Sequence, residues 1–136
     1  MAQSSVKKMV EHLLHAQEIN DFNAMRVFAE QLLKKDPNNA EFLLYKLQAL
    51  DGLGKVTSEL KLLHHYANMR STDITAFLLL YKAYMALDSL PDALIALTFA
   101  MSIDSEDEEC KVLLANLLAE VDPKYKTIKL NILTTS

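Results

Sequence analysis

Pro37-Asn38-Asn39-Ala40-Glu41 is the stretch of this 136-residue chain on which the reading of its fold turns. An apolar pattern of helical period follows it as far as Leu53-Gly54, and a second helical pattern begins at about Thr57. The stretch therefore reads as a linker, a helix, a short turn and another helix. Outward from it, two Gly and three Pro leave few points where the chain can break. The abundance of Ala, Leu, Lys, Glu and Met favours helices over strands. The expected class is all-α.

These residues resemble the tetratricopeptide repeat, whose linker often reads Asp-Pro-Asn-Asn and whose first helix often ends in Leu-Gly. The period of that repeat is about 34 residues, and steps of that length test the resemblance. One step forward from Ala40 lands on Ile74 and brings Phe77, Tyr84, Ala93, Leu97 and Ala100 to places where the family prefers such residues. Ala93 and Ala100 suit the closest crossing of two helices, where only small side chains fit. One step back lands on Val6 and brings Asn20-Asp21-Phe22 to the inter-helix turn and Asp36-Pro37 to the linker.

The resemblance implies repeats at about 6–39, 40–73 and 74–107 and a capping helix at about 108–121, together a TPR-like domain over 1–123. It also implies a right-handed α-solenoid of antiparallel helix pairs, about seven helices in all. Cap signals agree with these bounds. Ser105 with Glu108 reads as a capping box, Thr72 or Asp73 can cap the helix from Ile74, Pro91 fits a first helical turn after Ser89, and Asp122-Pro123 ends the last helix. The pattern departs from the family in places. Glu59 and Met25 stand where a small residue is usual, which keeps a related antiparallel helical array open as the alternative.

In such repeats the first helices line the concave surface, so the resemblance also implies a site. One apolar residue recurs there at Val10, Leu44, Leu78 and Val112. Beside this stripe stand Leu14, Gln48, Lys82 and Asn116, then Gln17, Asp51, Met85 and Ala119. An apolar groove with a few convergent polar groups suits a peptide segment. The partner-binding residues are thus expected to be Val10, Leu14, Leu44, Gln48, Leu78, Lys82, Met85, Val112 and Asn116. Some family members grip the terminal carboxylate of chaperone tails with Lys, Arg and Asn. At the matching places this chain has Val10, Leu14, Tyr45, Thr75 and Leu79. With no charge-assisted donor among them, a chaperone C-terminal carboxylate is not the expected partner.

Catalytic signals are few. His12 and His15 share a helix face, but no Cys or acidic residue has ligand-like spacing to them, and the adjacent His64 and His65 point apart. There is no Gly-rich phosphate loop, nucleophile elbow or HExxH. No catalytic residue, metal or cofactor is expected. Cys110, the sole cysteine, reads as a packing or surface residue. Five acids among Asp104, Glu106, Asp107, Glu108 and Glu109 suit the start of a helix, whose dipole favours negative charge.

At 51% hydrophobic and 24% charged the composition is that of a folding chain, long enough for one compact domain. A net charge of −4 argues against nucleic acid, which is bound by clustered Lys and Arg. The amino terminus lacks a secretion signal and no apolar run approaches the ~20 residues that span a bilayer. A cytoplasmic protein is expected, with the nucleus open as a second compartment. At the other end, Ile128, Leu130 and Ile132 alternate with Lys129 and Asn131, a period of two that suits an extended tail over 124–136. The functional expectation is a non-catalytic adaptor or scaffold subunit that binds a protein segment. Its rival is a small dedicated chaperone, similar to the TPR-type secretion chaperones. Self-association is left open.

Overall fold

The computed structural model of the protein describes residues 2–120. Among them all regular structure is helical: α1 Ala2–Glu18, α2 Phe22–Lys35, α3 Ala40–Gly52, a 3₁₀ turn Val56–Glu59, α4 Leu60–Met69, α5 Ile74–Ala86, α6 Leu90–Ile103 and α7 Glu108–Glu120. The chain is all-α, as its composition and periodicity require. Asp122-Pro123 and the segment 124–136 lie outside the described residues.

One backbone device closes the first helix of every hairpin. Asn20, Gly54 and Asp88 follow one another at one repeat period and hold left-handed φ angles of 59°, 69° and 54°. The amide of each donates three residues back, to Gln17 O at 3.1 Å, Asp51 O at 3.0 Å and Met85 O at 3.1 Å. The next amide in each case donates five back: Asp21 to Ala16 O at 2.8 Å, Lys55 to Leu50 O at 2.8 Å and Ser89 to Tyr84 O at 2.9 Å. These two bonds about a left-handed residue form the Schellman closure, which satisfies carbonyls the helix leaves open. Glycine takes that conformation without cost and Asn and Asp take it more readily than other residues, which explains the three residue types found there.

A second device opens the first helix of each later repeat. Asn39 Oδ1 accepts from Phe42 N at 3.1 Å, Asp73 Oδ1 from Thr75 N at 3.0 Å and Asp107 Oδ1 from Cys110 N at 2.9 Å. These N-caps recur at the same repeat period. The last of them corrects the sequence reading, because α7 is capped by Asp107 and not by Ser105 with Glu108. Residues 104–107 are spent on a turn, in which Asp104 Oδ1 accepts from Glu106 N at 3.0 Å and Asp104 O from Asp107 N at 3.3 Å. Glu108 is consequently the first helical residue and not the third, which is the place a capping box requires. Ser5 stands one period before Asn39, yet α1 runs through it and starts at Ala2. No Pro or Gly stops the helix there.

The chain divides into two compact units, Met1–Arg70 and Ser71–Ser136. In the first, α1 packs on α2 and α2 on α3. Leu13, Ala16, Met25, Ala29, Leu32, Phe42 and Ala49 form one buried cluster, with Val6, Met9, Val10, Phe22 and Phe28 against it. Met25, in a place usually held by a small residue, is a fully used core side chain there. The other departure, Glu59, closes the 3₁₀ turn that precedes α4. Its carboxylate lies 3.8 Å from Lys46 Nζ, which is also 4.0 Å from Glu30. The half-buried acid therefore has a counter-charge beside it. In the second unit α5 packs on α6 and α6 on α7. Ala93, Leu97 and Ala100 of α6 are wholly buried, as are Ala76 and Ala83 of α5.

Residues in step along the chain change character with their place in it. Lys8 and His15 of α1 are exposed, whereas their counterparts Phe42 and Ala49 of α3 belong to the core built with α2. Ala76 and Ala83 of α5, and Cys110 and Leu117 of α7, are buried counterparts again. The corresponding face of α1 is thus polar and exposed.

Candidate partner-binding faces

The first helices carry the side chains expected to meet a partner, and each unit holds its own set. In the first unit Val10 is half-buried against the core cluster and Leu44 and Gln48 are half-buried on α3. Leu14 is 42% exposed. Gln17 Nε2 donates to Gln48 Oε1 at 3.4 Å, which places the polar ends of α1 and α3 side by side. Apolar Leu14 and this amide pair, with Asp51 one turn further on, make a surface of mixed character: an apolar body with donors and acceptors beside it. Tyr45 lies nearby on α3, and its hydroxyl donates to Glu41 Oε1 at 2.9 Å. Burial, and next the Glu41 carboxylate, holds that phenol above its ordinary range, so it acts as a neutral donor.

In the second unit the expected residues separate. Lys82 is exposed on α5, Met85 half-buried, and Val112 and Asn116 exposed on α7, Val112 at 57%. Leu78 is only 8% exposed and is part of the packed interior. Helical spacing alone could not separate it from the others, because α5 is apolar on nearly every side: Leu78, Leu79, Leu80 and Tyr81 are four buried residues in a row. Of the places where chaperone-tail binders carry cations, Leu79 is buried and Tyr45 is engaged by Glu41.

The remaining groups of chemical interest find local uses. His12 stacks on Phe28 with ring centroids 5.6 Å apart and planes at 21°. Among the described residues no group of three or more His, Cys, Asp or Glu side chains could hold a metal ion. Cys110 is wholly buried. Burial first, and the Asp107 carboxylate second, push its thiol up to about 12, which leaves it neutral and unreactive at physiological pH. The acids that open α7 are mostly engaged: Asp104 and Asp107 hold backbone amides, and Lys111 Nζ lies 2.8 Å from Glu106 and 3.8 Å from Glu108. Lys111 accordingly holds the Glu106 carboxyl below the usual range. No helix among the described residues is long and apolar enough to cross a membrane.

One feature of the surface was not legible as a site in the sequence. On α6, Ile95 is 55% and Phe99 53% exposed, and Phe99 stacks on Phe77 of α5 at 5.5 Å. The signal available was that α6 carries apolar residues on every side, which means that it cannot bury them all against α5 and α7.

Hairpins whose first helices close on the same bonds once per repeat, and from α3 on open on the same kind of cap, define a tetratricopeptide-like fold. Two structures of that architecture are similar to this chain. MamA shares 20% identity over 88% of this chain at a TM-score of 0.74, and the Arabidopsis OM64 TPR domain shares 16% over 87% at 0.75. The chain spans 63% of the MamA chain and 98% of the OM64 domain. No protein-family model and no curated protein matches the sequence. At such identities the likeness is one of fold.

Proposed function

We propose that this protein is a non-catalytic interaction module, an adaptor or scaffold subunit that takes a segment of a partner protein on the faces of its first helices. The observation that carries this reading is the surface of α1 and α3, where exposed Leu14 lies beside the paired amides of Gln17 and Gln48. An apolar anchor site with amide groups beside it can bury a partner side chain while meeting the polar groups of that partner's backbone. In the second unit Lys82, Met85, Val112 and Asn116 offer the same mixture, and Leu78 supports them from within. The absence of Lys, Arg and Asn at Val10, Leu14, Tyr45, Thr75 and Leu79 disfavours a terminal carboxylate and favours an internal segment.

The test is capture of partners by the full chain against Leu14→Asp combined with Gln48→Glu, both chosen outside the buried core. Loss of the captured protein with unchanged helicity and melting temperature supports the reading. Capture that persists in the folded double variant rejects it.

A further inference from the structure

Unit Ser71–Ser136 leaves one apolar helix face uncovered among its described residues, and that face has acids at its start and beyond its end. Asp92, Ile95, Phe99 and Ser102 of α6 are spaced by three, four and three residues and are all exposed, so they form one stripe along the helix. Asp88 precedes the stripe and Asp104 and Glu106 follow it. Over residues 71–120 there are nine carboxylates and two lysines, a net charge of −7. Such a face repels a second copy of itself and suits a basic, apolar segment.

The chain contains such a segment. Residues 124–136 carry Lys124, Lys126 and Lys129 and no acid. In an extended conformation Lys124, Lys126, Ile128, Leu130 and Ile132 share one side. That order, basic then apolar, is the order of the α6 stripe read from Asp88 and Asp92 to Ile95 and Phe99. The spacing agrees as well. Alternate residues of an extended chain are ~6.7 Å apart, and Ile95 and Phe99, four residues apart on a helix, are ~6 Å apart. Direction is compatible too, because the short linker after Ile103 turns α7 back against α6 and α7 stays packed through Cys110, Leu114 and Leu117.

We infer that segment 124–136 docks in an extended form along the exposed face of α6 in its own chain, with Lys124 and Lys126 beside Asp88 and Asp92 and with Ile128 and Leu130 over Ile95 and Phe99. The four residues from Glu120 to Lys124 span up to ~13 Å, more than the ~8–10 Å between the axes of packed helices, so the segment is long enough to cross from α7 to α6. The docked segment would shield the apolar face, and a partner that needs α6 would have to displace it. This surface belongs to a second helix and is independent of the first-helix faces proposed above.

The test places a photo-crosslinking p-benzoylphenylalanine at position 99 of the full chain, an aromatic-for-aromatic change at an exposed site. Irradiation of monomer, with cross-linked peptides mapped by mass spectrometry, is expected to join position 99 to residues 124–136 within one chain. The triple variant Ile128→Asp, Leu130→Asp and Ile132→Asp should lose that crosslink at least tenfold while keeping the far-ultraviolet helical signal. Crosslinks at dimer mass would show exchange between copies and overturn docking within the chain. The absence of any crosslink to 124–136, or a crosslink unaffected by the triple variant, would overturn the docking itself.

Discussion

Adding a single methyl group at Gly52 would place a Cβ 2.5 Å from the nearest atoms of the Phe22 ring. Phe22 packs against the core cluster of the first unit, so its ring cannot retreat freely. The better helix propensity of alanine is worth about 1 kcal/mol and overpacking costs about 1–3 kcal/mol. Gly52→Ala is therefore expected to destabilise the protein by about 1 kcal/mol in chemical denaturation, although glycine in a helix is normally a weak residue. Cys110 is the second residue whose surroundings decide its behaviour. Its thiol is held up to about 12 in the folded chain by burial and then by Asp107, whereas an unfolded thiol titrates near ~8.5. Between these values the unfolded state has lost the proton and the folded state keeps it, so stability must fall as pH rises through this window, by at most ~1.4 kcal/mol per pH unit. Cys110→Ala should remove that component of the alkaline loss, measured by denaturation at pH 8 and 10. A thiol reagent should modify the native wild type only on unfolding.

The helix ends are where elements gain their definition. The side chains of Asn39, Asp73 and Asp107 each hold an otherwise open amide at the start of α3, α5 and α7. Replacing any one by alanine is expected to cost about 1 kcal/mol, and Asp107→Ala should fray α7, seen as faster amide exchange at Cys110. At the opposite ends the three left-handed residues differ in what they tolerate. Gly54 at φ 69° has no atom within contact of a new Cβ, so Gly54→Ala should destabilise through backbone strain alone, by about 1–2 kcal/mol. Asp88→Gly relieves the same strain at φ 54° and should be neutral or stabilising by up to ~1 kcal/mol, read from melting curves in a Lys124→Ala, Lys126→Ala background so that no charge partner of Asp88 is lost with it.

On the scale of the whole molecule, repeats in step differ in what they offer a neighbour, and the corresponding face of α1 is polar. Lys8 and His15 are exposed where α3 carries buried Phe42 and Ala49. Lys8→Phe with His15→Ala would give α1 the outer face of an internal helix. Concentration-dependent self-association, read as mass by light scattering, is the expected result. Wild-type protein at the same concentration should associate less.

The sequence by itself determined the helical class, the repeat step and the places of the turns, because each of these rests on local chemistry. Asn20, Gly54 and Asp88 accept a left-handed backbone, and Asn39, Asp73 and Asp107 carry short side chains that reach an amide two or three residues on. Only the tertiary structure decided which apolar residues are packed and which are offered. Leu78 and Val112 are in step in the sequence, yet Leu78 is 8% and Val112 57% exposed. Ile95 and Phe99, on a helix that is apolar on every side, are exposed, while Glu59 stands where a small residue was expected and is matched by Lys46. Exposure depends on which neighbours fold back over a face, and helical period records only that the face exists.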